Sequence, residues 1–343
     1  MSRDRRPPRA TPHRPFIPDP AQMALRPEVS GNTVNGLGET EPRRPSMVYW
    51  APDPDTIPHG AMQRWFYTVD PGDPRFDAAR AERHAMAAAP PAPLAPEQAD
   101  RSPEEWTAAL ARFPRAGLCE KTGVARMRPD WVYDNAEVSE RTVIVFGVQH
   151  DYDEISRAPH SDAGAEVMAQ YNRAARVAIE AANWLRAQGW PARPVTGPMT
   201  GEITLIPPAL EAGFGELGKH GSLIDREMGA SFRLSAVLTD APFAPTPRAE
   251  HGIDAFCAAC RVCEDACPPL AISPDKQTVR GVTRWYVDFD ACLPFFNQTQ
   301  GCAICIAVCP WSRPGTGPRL AEKLARRAAR LTDEETGTDA APT

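Results

Sequence analysis

Residues 256–269 read FCAACRVCEDACPP. The cysteines Cys257, Cys260, Cys263 and Cys267 are spaced C-x2-C-x2-C-x3-C, with proline next. Two-residue gaps let one tight loop set three thiolates around a corner of a cubane. The last cysteine, three residues on and before a proline, points the other way, and in two-cluster ferredoxins it ligates the second cluster. The motif recurs downstream with its first gap stretched, C-x9-C-x2-C-x3-C-P, at Cys292, Cys302, Cys305 and Cys309. Exchange of the final cysteines assigns Cys257, Cys260, Cys263 and Cys309 to one 4Fe-4S cluster. Cys267, Cys292, Cys302 and Cys305 are then assigned to another. A structural zinc ribbon would use paired C-x2-C knuckles and lacks this run. Cys119 stands alone and reads as a buried or incidental thiol.

Working outward, the cysteine-dense region from about 251 to 315 is a small domain in a chain of 343 residues. A large domain, 46–250, precedes it. Charged residues at 24% and hydrophobic residues at 42% are ordinary for a globular protein, so a core can form. Residues 1–45 are rich in Arg and Pro and read as an extended arm wrapped on the surface. Residues 316–343 read as a helix over Arg319–Leu331, with Leu320, Leu324 and Leu331 on one side, and a disordered tail.

The net charge of −6 gives no reason to expect nucleic acid or an anionic membrane as partner. No apolar run is long enough to span a bilayer. Arg5-Arg6 resembles the start of an export signal, but PPRATPHRPF follows without an apolar core. The chain is therefore expected in the cytoplasm, where clustered thiols are reduced and serve as metal ligands.

In the large domain, Ser102-Pro103-Glu104-Glu105 opens a helix, with Ser as N-cap, Pro next and acids in the first turn. Thr142–Val148 reads as a buried strand. A helix follows from about Ala165 to Gln188, stopped by Gly189 and Pro191, with Val167, Tyr171, Ala174, Ala178, Ala181 and Leu185 as its apolar stripe. Glu202–Ile206 and Phe232–Leu238 read as further strands. Between them lies a glycine-rich turn, GFGELGKHGS, at 213–222. Its G-x-G-x-x-G spacing has neither the preceding strand nor the following helix of a dinucleotide site.

A cluster carrier needs only the small domain, so the large domain is expected to house a reaction. Tyr171 is either a core tyrosine or a proton donor in a dry pocket. Lys219 is either a surface lysine or a cation that favours the phenolate of Tyr171. Arg284, in TRWYVDFDAC, is either solvated or turned into the pocket.

From Tyr171 to Pro314 the chain resembles the corrinoid-dependent reductive dehalogenases. The likeness lies in the helix ending LRAQGWPA, in AGFGELGKHGSLI and RLSAVLTDAPF, in the double cysteine motif, and in WYVDFDACLPFF and GCAICIAVCPWSRPG. It implies an α+β fold, with a nitroreductase-like corrinoid-binding domain followed by a ferredoxin-like domain holding two 4Fe-4S clusters. Cobalamin is the implied cofactor, and no D-x-H-x-x-G motif is present to ligate its cobalt. Tyr171 is implied as proton donor to the carbon losing halide, with Lys219 and Arg284 assisting. His220, Gly221, Ser222 and Leu223 are implied corrin contacts. Neither the respiratory branch's export signal nor the catabolic branch's fused reductase is seen, so a separate ferredoxin, flavodoxin or reductase is the expected electron donor. Two alternatives stand beside this reading. One is an epoxyqueuosine reductase-like enzyme acting on tRNA, whose turn reads G-K-N-T where this one reads G-K-H-G. The other is a non-enzymatic iron–sulfur electron carrier.

Overall fold

The computed structural model describes residues 13–199 and 201–337. Its strands, in chain order, are β1 (Lys121–Arg126), β2 (Thr142–Gln149), β3 (Ala192–Val195), β4 (Glu216–Leu217), β5 (Leu223–Ile224), β6 (Phe232–Thr239), β7 (Gln277–Val279) and β8 (Val282–Arg284). β1, β2, β6 and β3 form one antiparallel sheet in the order β1-β2-β6-β3; β4–β5 and β7–β8 are small hairpins.

The central pair explains the uninterrupted apolar run of β2. Ile144, Phe146 and Val148 of β2, with Val237 of β6, face a long helix, Ser161–Arg186, through its Ala174, Val177, Ala178 and Ala181. Val143 and Val145, with Phe232, Ala236 and Leu238 of β6, face the other way onto Ala209, Ala212, Phe214 and Met228. Covered on both sides, β2 has no polar face to alternate with. The alanines on the long helix leave its backbone free to lie close against the sheet. The helix ends as the sequence indicates, with Gly189 at φ +79°, where a Cβ would meet the carbonyl oxygen of Glu97 at 2.0 Å.

The helix at Ser102 also forms as expected, over Pro103–Ala109 and with a reciprocal capping box between Ser102 and Glu105. The strand expected over Glu202–Ile206 does not form. Ile203 makes one isolated bridge with Val132, and a helix, Ile206–Glu211, starts immediately. Pro207 and Pro208 explain the outcome, because prolines offer no ladder N–H but suit a helix's first turn. Strands β1 and β3 are additions to the sequence reading. β3 is an edge strand that carries Pro194.

The N-terminal arm is not fully extended; it contains the short helices Pro20–Met23 and Gly31–Val34. It lies along the cysteine-rich region. The amide of Asp19 donates to Gln298 Oε1 (3.1 Å), Gln22 Nε2 to the Pro294 carbonyl (3.1 Å) and Asn32 Nδ2 to Asp288 Oδ1 (2.8 Å). Tyr49 and Met62, from the segment after the arm, pack on Leu293 of the helix Phe289–Gln298. The C-terminal helix runs over Thr316–Gly337, further than its leucine pattern indicates, and includes part of the expected disordered tail. Leu320 and Leu324 pack against the cluster of Trp311 and Ala321; the Leu331 side chain and residues 338–343 lie outside what is described. Among the described residues, no helix is long and apolar enough to cross a membrane.

Candidate active site and cluster-binding thiols

Short helices and loops bring eight cysteines together as two quartets. Burial is the main cause raising the thiols of Cys257, Cys263, Cys267, Cys292, Cys302, Cys305 and Cys309 above the ordinary range, and the charges among their further causes show which thiols are neighbours. Cys263, pushed up to about 12, feels Cys309, Cys257 and Cys260; Cys309, also about 12, feels Cys257 and Cys260. Cys292, pushed up to about 12, feels Cys302 and Cys267, and Cys302 feels Cys267. Cys305 feels Cys302 and Cys292 most, then Cys263 and Cys267, so the quartets adjoin. The neighbouring thiols are thus Cys257, Cys260, Cys263 and Cys309 on one side, and Cys267, Cys292, Cys302 and Cys305 on the other. Peptide N–H groups point at the sulfurs, as in the 3.3 Å bond from Ala271 N to Cys267 Sγ. Among the described residues, no three His, Cys, Asp or Glu side chains converge closely enough for a single metal ion. A cluster, with its own inorganic core, needs its thiolates further apart. Cys119 is buried away from both quartets, in the core beside the long helix.

Tyr171 projects from the long helix over the end of the sheet. The guanidinium of Arg233, on β6, lies over its ring at 4.7 Å, with Nη1 3.5 Å from the phenol oxygen. Arg83, on the helix Arg75–Ala88, donates to the Tyr171 carbonyl (3.3 Å) and the Thr196 carbonyl (2.8 Å), joining three segments around the tyrosine. Asn172 reinforces this, donating to the Ala79 carbonyl at 2.9 Å and to Glu82 Oε2 at 2.7 Å. Gly197, at φ +50°, passes the ring closely enough that a Cβ there would sit 3.4 Å from it.

His150, at the end of β2, is buried with its Nδ1 3.0 Å from Ser231 Oγ. Burial, and then the charge of Arg233, hold its imidazole well below the ordinary range, so it is neutral. Its Nε2, Arg233 Nε and Ser235 Oγ are buried polar atoms without a protein partner. By the β-strand alternation that puts Val148 and Val237 toward the long helix, His150, Arg233 and Ser235 share that face.

Lys219 does not join this group. Its side chain is 2% exposed, with Nζ on the Cys260 carbonyl at 2.8 Å, 3.6 Å from Glu264 Oε2 and 5.2 Å from the centre of the Trp285 ring. The glycine turn that carries Lys219 aims it at the cysteine-rich region, and the cation beside Tyr171 is Arg233. His220 is buried and neutral, pushed down to about 4 by burial; its Nδ1 accepts from the Ser222 amide (3.2 Å), leaving Nε2 buried and unpartnered. Gly221, at φ +76°, packs against Val287. Leu223 belongs to β5 and buries its side chain in the sheet core, so only its backbone faces the turn. Arg284, on β8, is half-buried beside Arg280 and Tyr286 rather than Tyr171. Burial, and then the charge of Arg280, bring its guanidinium down to about 10.

A charged residue in an otherwise apolar strand was the signal for Arg233, which interrupts FRLSAVLT on its helix-facing side. His150 carried only the weaker signal of a histidine ending a buried strand.

Comparison with known proteins agrees with this architecture. Residues 256–312 match the family described as a 4Fe-4S dicluster domain. A tetrachloroethene reductive dehalogenase of Desulfitobacterium hafniense is 32% identical over 237 residues, covering 65% of this chain and 42% of the relative. That of Sulfurospirillum multivorans is 29% identical over 50% of this chain and 35% of its own length. An epoxyqueuosine reductase of Leadbetterella byssophila is 31% identical, over only 30% of this chain and 35% of its own. Among solved structures, the catabolic reductive dehalogenase NpRdhA, in complex with 3-bromo-4-hydroxybenzoic acid, superposes with a TM-score of 0.70 at 21% identity. That match covers 91% of this chain and 50% of the other. The chain thus spans half or less of the length of these dehalogenases. The α+β fold, the double cysteine motif and the extent of these matches agree: the chain is similar to the reductive dehalogenases in sequence and in fold.

Proposed function

We propose that this chain removes halide reductively from a small organohalide, using cobalamin and two 4Fe-4S clusters, with Tyr171 as the proton donor. The observation that carries the reading is the Tyr171–Arg233 pair: a phenol held under a guanidinium at one end of a sheet, in a chain that also presents two thiol quartets.

The residues present fit a corrinoid. A corrin is a large flat ring rimmed with amides, which need donors and acceptors. His150 Nε2, Arg233 Nε, Ser235 Oγ and His220 Nε2 are buried polar atoms with no partner in the protein. The turn at Gly221 allows close backbone approach. His220, Gly221 and Ser222 would hold the ring's edge, and the cysteine quartets would hold the iron. A bound cobalamin supplies a strongly reducing metal centre, and the clusters supply its electrons.

The chain's own contribution is to position the substrate, exclude water and deliver a proton. In the overall change, a carbon–halogen bond breaks, an electron pair and a proton enter, and halide leaves with hydrogen in its place on carbon. When the Tyr171 hydroxyl gives up its proton, a phenolate remains. Arg233, along the ring and near the oxygen, stabilises that charge in a site of reduced dielectric. Arg83 and Asn172 fix the backbone from which the tyrosine projects, so the hydroxyl does not need ordering at each turnover. Arg284 lies outside this pair, and we assign it no part in the proton transfer. A separate ferredoxin, flavodoxin or reductase is the proposed electron source.

The test is anaerobic expression with cobalamin, followed by metal analysis and turnover assays with halogenated aromatics and alkenes. About one cobalt and about eight iron per chain are expected for two four-iron clusters. Tyr171→Phe should abolish halide release while cobalt and iron stay bound. Turnover retained in that variant overturns the role of Tyr171. Iron without cobalt leaves an electron carrier, and turnover only of a modified tRNA base would assign the chain to the epoxyqueuosine reductases.

A further inference from the structure

Lys219 is one of the least exposed charged side chains in the molecule, and the proposed proton transfer does not use it. Its ammonium is anchored on the carbonyl of a ligating residue, Cys260, at 2.8 Å. The Trp285 ring covers it at 5.2 Å, and the side chain is 2% exposed. Its own peptide N–H points at the sulfur of Cys257. One residue of the glycine turn therefore brings both a fixed positive charge and a sulfur hydrogen bond to the quartet Cys257, Cys260, Cys263 and Cys309.

The surroundings partly offset that charge. Glu264 lies 3.6 Å from the ammonium and is shared with Arg261 at 3.2 Å. Arg261 is also 3.2 Å from Asp265. Lys276, 5.5 Å from the centre of the same Trp285 ring, is paired with Asp254 at 2.7 Å. Even so, Cys257 and Cys263 both feel the Lys219 charge, and Cys257 also feels Asp254.

We propose that Lys219 sets the reduction potential of the cluster held by Cys257, Cys260, Cys263 and Cys309, holding it above the value that the thiolates alone would give. The inference rests on the cluster reading above. A cluster bound by four thiolates is anionic and gains a further negative charge when it takes up an electron. Reduction makes or breaks no bond to the protein. Its cost is set by local charge, by hydrogen bonds to sulfur and by exposure. A buried ammonium favours the reduced form, and burial makes its field strong because water is not there to screen it. Lys219 is thus a positioning residue for the electron, acting on the cluster and not on the substrate.

The experiment is a dithionite redox titration of the full, cluster-loaded chain, followed by electron paramagnetic resonance. Wild type is compared with Lys219→Met, Lys219→Arg and Glu264→Gln, with iron content measured for each. Lys219→Met should lower the reduction equilibrium constant of one cluster by about tenfold or more, about 59 mV for a one-electron couple, and leave the other in place. Lys219→Arg should restore most of the shift. Glu264→Gln keeps the ammonium and removes the offsetting carboxylate, so its midpoint should move upward. Opposite signs from the two partners of one ion pair would not arise from a merely structural role. An unmoved midpoint in fully loaded Lys219→Met, or equal shifts in both clusters, overturns the proposal. If Lys219→Met loses iron, Glu264→Gln decides: an upward shift supports the proposal, and no shift overturns it. A wild-type chain without iron and sulfide sinks the cluster reading itself, an outcome distinct from a loaded chain with an unmoved potential.

Discussion

Arg233 is the residue on which the proposed chemistry turns. It belongs to the rigid middle layer of the molecule, paired across the sheet with Val148, so its reach to Tyr171 is fixed by strand register and not by a loop. Replacing it with methionine removes the charge but keeps much of the bulk. Turnover should fall about 10²-fold to 10³-fold, the range seen when one stabilising donor is lost, with metal content unchanged. Arg233→Lys should retain part of the rate. Equal turnover in wild type and Arg233→Met would separate this residue from the chemistry. The sequence made the clustering of the eight cysteines and the place of Tyr171 on its helix legible, because thiol spacing and the helix stripe are local patterns. It did not show which cation meets the tyrosine. Lys219 and Arg233 follow the long helix in the same chain order, and direction out of a glycine turn is decided by what packs beneath it. In this fold Trp285 and the Cys260 carbonyl receive Lys219.

Among the elements, those with local punctuation formed as read. The Ser102 capping box joins the helix Pro103–Ala109 to the core through Trp106, which is fully buried. Ser102→Ala should therefore cost about 1 kcal/mol in urea denaturation, typical of a lost N-cap. A change within error would mean that Trp106 alone holds the helix. Where tertiary partners decide, the sequence was silent or misled. β3 is four residues long, carries Pro194 and exists because β6 offers it an edge. Glu202–Ile206 has strand-like residues, yet its neighbours Pro207 and Pro208 and the pairing of Glu202 with Arg193 direct it elsewhere.

On the scale of the whole molecule, buried neutral histidines link stability to pH. His59, His150 and His220 are all depressed, chiefly by burial, and His220 is brought down to about 4. Unfolding frees them to protonate below about 6.5, so the unfolded chain binds more protons there. Their contribution is complete above that pH and is lost as the pH falls through and below it. For His220 the loss continues to about pH 4 and amounts to roughly 3 kcal/mol. Denaturation midpoints at pH 7.5 and pH 6.0, taken with the clusters intact, should show the decline. His150→Gln should flatten it, and an unaltered slope in that variant would remove His150 from the account.

The arm that lies along the cysteine-rich region also imposes an order of events during synthesis. Its amide at Asp19 meets its partner Gln298 only after 279 further residues have been made. At ~5–20 residues per second, the ribosome needs on the order of tens of seconds to deliver that partner. Through that interval the arm is without the partner it finds in the folded chain. The cysteine-rich region, made later, therefore gathers in an arm made before it.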